Sequence, residues 1–447
     1  MDQERVVRFD DALEQAWGWL KENGASLGQR VLVIRDLVGR IAVLIDGPRE
    51  ARHQALAQDL ARKLGAYGAD PEGVLLFPDD FFDAASFFSA SDARQLFSPR
   101  TGDEGPDNVF ILEREVIGLD WMRSPLPAPK GDDGKVVDEA PRLTFFGIKG
   151  GVGRTTALIL FARALARAGA RVVVFDLDLE SPGLGSLLLP EERVPKYGIV
   201  DYLVEEAVGQ DDAALLDDML ARSPLVDEPV GEIHVVPAGG THGDYLAKLG
   251  RVYQPAASPD GVRELAERVD AMISRIAAHL KADVVLLDSR AGLHDIAAFT
   301  VTRLRAHALL FAVGTSQTWN GYKVLFDDWM RHPDLDDLRE RLHIAAALVP
   351  ETGRADYMKR FVDDSYDLFA DRLYDEADPK RKDTDPFNFD VSNEAAPHYP
   401  ISIYWNRALQ EFDPVRDAGR AAEDQVRIAS EEFCQRVASI LGLKVTP

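Results

Sequence analysis

The sequence predicts an α/β protein in which a doubly wound, mostly parallel sheet forms the larger domain and a small α+β domain precedes it. After residue 142, apolar runs of strand length alternate with amphipathic helical stretches, which is typical of a parallel sheet with helices on both faces. Residues 123–141 are rich in Pro, Gly and charge and have little to bury. We therefore predict an accessory domain over residues 1–122, a linker over 123–141 and the main domain over 142–447.

The accessory domain combines helical and strand patterns. A helical start precedes two apolar runs, "RVLVIRD" and "RIAVLID", and an amphipathic helix follows in residues 49–68. Shorter strand patterns occur at "GVLLF" and "NVFILE". None of these segments carries a motif that indicates a chemistry.

The main domain opens with the strand "LTFFGI" and a helix that extends to Ala168. A polar insertion is predicted near residues 375–398, before a helix from Arg420 to Leu441 whose apolar face suits packing against the domain better than a membrane. Between them we predict strands at "ARVVVFDLD", "EIHVVPAG", "DVVLLDS", "HALLFAVG" and "HIAAALVP", and helices near residues 199–208, 261–280 and 321–330.

Composition limits the classes of function. There are 51 Lys and Arg residues against 75 Asp and Glu residues, a net charge of -24, so we do not expect the chain to bind nucleic acid on its own. No secretory signal or membrane-length apolar run is visible, which predicts a cytoplasmic protein that does not bind membranes. The one cysteine, Cys434, cannot supply the paired thiolates that an iron–sulfur cluster needs.

The stretch "FFGIKGGVGRTTALILFARALARAG" has the pattern of a phosphate-binding loop between a strand and a helix. Gly150, Gly151 and Gly153 allow the backbone to approach an anion closely, and a helix predicted to start at Thr155 directs its positive end at the same point. The Thr155 hydroxyl is of the kind that contacts Mg²⁺ in such loops. The pattern predicts a nucleotide phosphate site.

The octapeptide "KGGVGRTT" resembles the deviant Walker A loop, KGGxxK[ST], of the MinD/ParA ATPases. The resemblance implies a P-loop NTPase domain that binds ATP and Mg²⁺. It also implies that Lys149, the signature lysine of that family, reaches the phosphates of a second subunit, so that nucleotide binding produces a homodimer. The predicted nucleotide contacts are Lys149, Gly150, Gly151, Val152, Gly153, Arg154, Thr155 and Thr156.

Two further segments resemble the switch regions of the same family, so that the resemblance covers about residues 142–350. In "VVVFDLDLESPGLG", Asp176 is implied to lie beside the phosphate loop and Asp178 to position the attacking water. In "VVLLDSRAGLHD", Asp288 corresponds to the position associated with Mg²⁺, and Gly292 is expected near the γ-phosphate. The resemblance thus assigns catalytic roles to Lys149 and Asp178. It assigns metal-binding roles to Thr155, Asp176 and Asp288.

Three features depart from the family pattern. Arg154 replaces the second lysine; it keeps a positive charge but has a different geometry, so binding should be less affected than turnover. Arg290 stands where relatives often have proline, and both a phosphate contact and a surface position remain open. "AAALVPETGR" lacks an adenine-binding asparagine, so ATP rather than GTP follows from the resemblance alone.

Together these patterns indicate a dimeric switch ATPase that slowly hydrolyses ATP to ADP and phosphate and thereby controls contact with a partner. We interpret residues 1–122 as the adaptor through which a protein partner is bound. The alternative is a non-catalytic nucleotide-binding scaffold or regulatory protein in which Arg154 holds the nucleotide as a structural cofactor. The fold cannot indicate a pathway, because partition, positioning, assembly and defence systems all use such switches.

Overall fold

The computed structural model describes residues 6–90, 93–97, 104–130, 136, 139–226, 230–258, 261–375, 386–409, 413–416 and 423–445. The chain divides into a first unit, residues 1–123 and 330–333, and a second unit, residues 124–329 and 334–447. Parts of the predicted linker (131–135, 137 and 138) and of the predicted insertion (376–385) lie outside the described residues.

The first unit contains a five-stranded mixed sheet in its described residues, in the order β3-β2-β1-β5-β4. Strand β1 is antiparallel to β2 and parallel to β5, β3 runs parallel to β2, and β4 runs antiparallel to β5. The elements are α1 (Phe9–Leu27), β1 (Val31–Arg35), β2 (Ile41–Ile45), α2 (Arg52–Leu64), β3 (Leu75–Leu76), α3 (Ala84–Phe88), β4 (Arg94–Gln95) and β5 (Val109–Glu113).

Alternation along the strands gives this sheet two apolar faces. Val31 and Val33 pack in one cluster with Trp19 of α1 and Leu60 of α2, whereas Leu32 packs on the opposite face, in a cluster that includes residues of α3. This is the period of two expected when both faces of a strand are covered. The small α+β domain predicted from the sequence is confirmed.

In the second unit, eight of the described strands form one sheet, in the order β15-β14-β13-β6-β12-β7-β9-β8. All neighbouring pairs are parallel except β8 and β9. The elements are β6 (Arg142–Gly147), α4 (Arg154–Arg167), β7 (Arg171–Asp176), α5 (Leu184–Leu188), α6 (Ile199–Glu206), α7 (Ala213–Asp218), β8 (Ala221–Arg222), β9 (Glu232–Val236), α8 (Tyr245–Val252), β10 (Ala256–Ser258), β11 (Gly261–Arg263), α9 (Leu265–Leu280), β12 (Val284–Asp288), α10 (Asp295–Thr302), β13 (His307–Ala312), α11 (Ser316–Trp329), α12 (Leu335–Glu340), β14 (Leu342–Val349), α13 (Arg354–Ala370), β15 (Ile401–Tyr404) and α14 (Glu423–Ile440).

Helices cover both faces of the large sheet. On β7, Val172 and Val174 join a cluster with α4 and α14, whereas Val173 and Phe175 join a second cluster with α6, α9 and α10. The doubly wound, mostly parallel sheet is therefore confirmed. Strand β6 lies between β12 and β13, where the strand order reverses, and open α/β sheets bind ligands at such a point. Among the described helices, none has the length and apolar character needed to span a bilayer.

Two predicted elements differ from the structure. Residues 261–263 form a strand paired with 256–258 and not the first turn of α9, because periodicity does not separate short apolar helical and strand segments. Helix α11 begins at Ser316, five residues before its predicted start, and the Thr315 hydroxyl accepts a hydrogen bond from the Thr318 N–H at 3.4 Å. Strand β15 was not predicted, because a run of four residues is recognised as a strand only once its pairing with β14 is known.

Two histidines lie side by side on neighbouring strands of the large sheet. His307 Nδ1 on β13 lies 3.2 Å from His343 Nε2 on β14. Burial lowers the pKa of His343 to about 3, with further lowering from His307 and Arg436. Burial also lowers the pKa of His307, where Arg341 lowers and Asp337 raises it. Both rings are therefore neutral in the folded protein at neutral pH.

This pair should make the fold sensitive to acid. Because the folded pKa of His343 lies below the unfolded value of about 6.5, its contribution to stability is present above that pH and lost as the pH falls towards 3. Urea unfolding is expected to show that the wild type loses unfolding free energy between about pH 7 and pH 4.5. His343→Gln should lose roughly 1–3 kcal/mol less than the wild type over the same interval. His279→Gln, at an exposed histidine, is the control, and an equal loss in all three proteins would contradict the assignment.

Candidate functional site

The loop between β6 and α4 has the backbone of a phosphate cradle. Gly151 and Gly153 adopt φ values of +73° and +81°, which favour glycine, and a Cβ added at Gly150 or Gly151 would meet no atom within 4 Å. Gly153 is the N-cap of α4 and supplies no side-chain cap, so the first N–H groups of this helix remain available to an anion. Val152 is buried beneath the loop, and Thr156 lies in the first turn of α4.

Lys149 stands at the beginning of this loop. Its side chain is partly exposed and makes no hydrogen bond or ion pair with any residue that the structure describes. Its ammonium group is thus not committed to a contact within the described chain.

Arg154, in contrast, is engaged inside the protein. Its side chain is buried, with 8% of the residue exposed, at the first position of α4. Nη1 donates to the carbonyl oxygen of Ser289, and Nη2 lies 3.9 Å from the carboxylate of Asp178. The guanidinium therefore connects α4 to the segments that follow β12 and β7.

The predicted metal-binding residues meet where two parallel strands end. Asp176 of β7 and Asp288 of β12 are register partners, and the Thr155 hydroxyl donates to Asp288 Oδ2 at 2.7 Å. Asp176 Oδ2 accepts the N–H groups of Gly183 and Leu184 at 3.2 and 3.1 Å. The structure brings Thr155, Asp176 and Asp288 together beside the loop.

Each of the three aspartates has one oxygen without a partner. Oδ1 of Asp176, Asp178 and Asp288 is buried and accepts no hydrogen bond from any described residue. Burial and the neighbouring Asp288 raise the pKa of Asp176 to about 8. Burial raises the pKa of Asp288 to about 6, although Arg154 and the Thr155 hydroxyl oppose this. Buried, crowded carboxylates of this kind are stabilised in their charged form by a cation.

The donor set fits Mg²⁺ better than a metal held entirely by protein. Among the described residues, no group of three or more His, Cys, Asp and Glu side chains could hold a metal ion. Mg²⁺ is usually bound through one or two carboxylates together with phosphate oxygens and water. Asp288, Asp176 and the Thr155 hydroxyl offer this incomplete set next to the phosphate cradle.

Asp178 lies between two arginines. Burial raises the pKa of its carboxyl group, and Arg154 and then Arg290 oppose the shift. Arg290 Nη1 lies 2.6 Å from Glu180 Oε1, and the Tyr253 hydroxyl donates to the same oxygen. The sequence left two alternatives for Arg290, a phosphate contact and a surface position. In the structure Arg290 instead forms an ion pair with Glu180, which links the segments that follow β7 and β12.

Gly292 fixes the second of these segments near the loop. It adopts a φ of +86°, and its N–H donates to the Gly147 carbonyl oxygen at 3.0 Å. The segment after β12 is therefore hydrogen-bonded to the end of β6, directly before the phosphate loop.

From the sequence, the aromatic-rich segment 397–414 is expected to pack in the core, with a nucleotide-base wall or a partner surface as the alternatives. In the structure, part of this segment lines a groove of about 410 Å³ beside the loop. It is mainly apolar and includes the amide of Asn406 and the partly exposed ring of Trp405. Leu348 enters it from a bulge in β14, with a φ of +54°. The aromatic density around "ISIYWN" is the sequence signal behind these alternatives. The lining consists of Val152, Gly153, Thr156, Leu348, Ile403, Tyr404, Trp405, Asn406 and Leu409.

Residues 143–343 match the family model of the CobQ/CobB/MinD/ParA nucleotide binding domain. The chain is 34% identical over 152 residues, 32% of its length, to an iron-sulfur cluster carrier protein of Pseudomonas fragi, and spans 51% of that relative. It is 46% identical over 46 residues, 10% of the chain and 9% of the relative, to the chloroplastic Fe-S cluster assembly factor HCF101 of Arabidopsis thaliana. The chain thus spans about half the length, or less, of these curated relatives.

Two solved structures are similar to this chain at low sequence identity. A ParA family ATPase from Chlorobium tepidum TLS has a TM-score of 0.43 at 16% identity, covering 66% of this chain and 98% of that one. A chain of the MinC:MinD cell division protein complex from Aquifex aeolicus has a TM-score of 0.41 at 17% identity, covering 69% of this chain and 98% of that one. The family match itself contains the phosphate loop and both aspartate segments.

Proposed function

Because residues 143–343 form a nucleotide-binding domain of the MinD/ParA type, we propose that this protein is a switch that binds ATP with Mg²⁺ and hydrolyses it slowly as a nucleotide-dependent homodimer. The observation that carries the proposal is the phosphate loop with its uncapped helix N-terminus, which lies beside the carboxylates of Asp176 and Asp288. A cradle for phosphate and a carboxylate set for Mg²⁺ at one sheet edge suit phosphoryl transfer.

In this proposal the residues of the chain have distinct tasks. The N–H groups of the loop bind the phosphates, and Thr155 with Asp288 and Asp176 holds Mg²⁺, which would neutralise the charge on the phosphate oxygens. Asp178 orients the attacking water through Oδ1, which is buried and has no partner among the described residues. Hydrolysis then requires the correct placement of water and charge, without a covalent intermediate.

Slow turnover follows from the position of Arg154. Its guanidinium already contacts the Ser289 carbonyl and the carboxylate of Asp178. To stabilise charge on the phosphates, the side chain must leave these contacts, and Asp178 then loses its nearest cation. We therefore expect binding to be supported by the backbone cradle, while the chemical step is limited by this exchange of partners.

We propose that Lys149 supports dimerisation by contacting the phosphates bound to a second subunit. Its ammonium has no partner in the described residues although it stands at the mouth of the loop. A lysine that completes the site of a second subunit would remain uncommitted in one chain, as this one does. The resemblance of "KGGVGRTT" to the deviant Walker A loop gives the same assignment.

A non-catalytic nucleotide-binding scaffold is the second candidate, and the Arg154 contact with Asp178 favours it, because this ion pair occupies the residue assigned to water. Steady-state phosphate release distinguishes the two. For the switch ATPase, we expect Asp178→Ala to lower Mg²⁺-dependent turnover by about tenfold or more, with ATP affinity nearly unchanged. Asp363→Ala, on an exposed helix position, is the control. Equal release from wild type and Asp178→Ala would favour the scaffold.

The iron–sulfur role in the names of the curated relatives is not proposed for this chain. Cys434 is the one cysteine in the sequence, it is buried, and burial raises the pKa of its thiol to about 12. Cluster ligands are thiolates and come in sets. We propose instead a cytoplasmic protein whose residues 1–122 bind a protein partner, and whose charge of -24 disfavours DNA and anionic membranes.

A further inference from the structure

Arg290 lies on a short segment that is fixed to both ends of the phosphate loop. On one side of it, the Ser289 carbonyl accepts a hydrogen bond from Arg154, the first residue of α4. On the other side, the Gly292 N–H donates to the Gly147 carbonyl at 3.0 Å. The backbone of Arg290 is therefore held beside the loop. Its side chain is 31% exposed, against 9% for that of Arg154, so Arg290 is the more accessible of the two arginines.

The guanidinium of Arg290 is held by a carboxylate that has a second donor. Nη1 lies 2.6 Å from Glu180 Oε1, and the Tyr253 hydroxyl donates to the same oxygen. His294 Nε2 lies 3.8 Å from that oxygen. The Glu180 side chain is 23% exposed. If Arg290 leaves, Glu180 is still hydrogen-bonded to Tyr253 and partly exposed, so the exchange does not create a fully buried, unpaired charge.

The triphosphate of ATP is a stronger partner for this guanidinium than Glu180. Partly exposed ion pairs contribute little to stability, whereas arginine binds phosphate oxygens through two parallel charge-assisted hydrogen bonds. The charge of Arg290 also acts where hydrolysis would take place, because Asp178, the residue assigned to the attacking water, lies between Arg154 and Arg290. ADP lacks the terminal phosphate that would draw Arg290 away from Glu180.

We propose that Arg290 is a catalytic residue of its own chain's nucleotide site: its guanidinium leaves Glu180 to contact the γ-phosphate of bound ATP, and returns to Glu180 when ADP is bound. This role rests on the proposed function, to which it adds the group that distinguishes ATP from ADP. Because the segment of Arg290 is hydrogen-bonded to the loop of the same chain, Arg290 acts within one subunit, unlike Lys149.

The contribution of Arg290 to the reaction is electrostatic. The water oxygen bonds to the γ-phosphorus, the bond to the β,γ-bridging oxygen breaks with its electron pair going to ADP, and the water protons leave with the released phosphate. Negative charge is redistributed over the γ-phosphate and the bridging oxygen during this step, and a guanidinium placed there stabilises it.

Calorimetry on the full-length protein compares the binding of ADP with that of β,γ-imido-ATP, both with Mg²⁺. We expect Arg290→Ala to bind the imido analogue about tenfold or more weakly, with ADP affinity within about twofold of wild type, because the charge-assisted contact exists only with the triphosphate. Glu180→Gln should act in the opposite direction. It releases Arg290, so affinity for the analogue should rise about threefold while ADP affinity is unchanged.

Steady-state phosphate release on the same preparations measures the catalytic contribution. Arg290→Ala should lower turnover at saturating ATP by about 10²-fold, and Arg290→Lys, which keeps the charge but not the planar fork, should have an intermediate rate. Arg62→Ala is the matched control, since it breaks an exposed ion pair with Asp59 on α2. This control should leave both affinities and the rate unchanged.

The Lys149→Ala background separates this role from the proposed dimer. In that protein we expect no dimer, yet the preference for β,γ-imido-ATP over ADP should still depend on Arg290, because both the arginine and the loop belong to one chain. Absence of phosphate release or of a dimer in the wild type would contradict the proposed function. The binding comparison needs neither activity nor dimer and would still decide the role of Arg290.

Three results would overturn the role of Arg290. The first is an equal loss of affinity for ADP and for β,γ-imido-ATP in Arg290→Ala, and the second is turnover by that variant at the wild-type rate. The third is a change in analogue affinity of the same direction in Arg290→Ala and Glu180→Gln, as expected if the ion pair only holds two segments together. Since Glu180→Gln is expected to gain affinity, a poorly folded variant cannot produce the expected pattern.

Discussion

Lys149→Ala is expected to lower ATP hydrolysis by about 10³-fold or more while nucleotide binding by the monomer changes little, because a cation supplied across an interface acts mainly on the transition state. The structure motivates this separation. Lys149 has no partner in the described residues, whereas the backbone cradle and the beginning of α4 are complete without it.

Sedimentation with a slowly hydrolysed ATP analogue measures the corresponding loss of dimer. The wild type should sediment as a dimer with the analogue and as a monomer without it, and Lys149→Ala should stay monomeric in both. Lys323→Ala, at an exposed lysine of α11, controls for the loss of one surface charge. A Lys149→Ala protein that still forms the dimer would show that the site is completed within one chain.

Arg154→Ala is expected to act first on binding, weakening ATP affinity by about 10²-fold through the loss of a charge-assisted contact. In the structure this side chain also compensates Asp178 and the Ser289 carbonyl. Its removal takes this contact from both groups and leaves Arg290 as the remaining arginine beside Asp178, so the segments that follow β7 and β12 should be less ordered as well. Hydrolysis should therefore fall together with binding, unlike in Lys149→Ala.

Arg154→Lys is the matched variant, and calorimetry with phosphate release is the measurement. The planar guanidinium contacts the Ser289 carbonyl and Asp178 with two different nitrogens. A lysine has a single nitrogen and cannot reproduce this geometry. We expect it to bind ATP with wild-type affinity and to turn over several-fold faster. Unchanged affinity in Arg154→Ala would mean that the guanidinium does not contact the phosphates at any stage.

The sequence was most informative where local patterns define the chemistry. The glycine spacing of the phosphate loop requires positive φ values, and Gly151 and Gly153 have them. The resemblance to the switch segments implies that Asp176 and Asp288 lie at the phosphate loop, and in the structure they are register partners on the adjacent parallel strands β7 and β12. Buried parallel strands are also recognisable from apolar runs alone.

Features that depend on distant segments could not be predicted. Asn406, two residues after β15, lines the groove beside the phosphate loop, and no periodicity links it to residue 153. The direction of the Arg154 side chain depends on the Ser289 carbonyl, a backbone group that no motif reports.

The position of β15 at the end of the large sheet has a consequence for biosynthesis. The groove beside the phosphate loop needs Ile403 to Leu409, about 250 residues after Gly153, and α14 packs on both β15 and α4. Since a ribosome adds residues in order, the phosphate loop emerges long before the wall that faces it. A nascent chain that has reached β14 can close most of the sheet, but it lacks this wall, so the groove beside the phosphate loop is completed only in the last stage of synthesis.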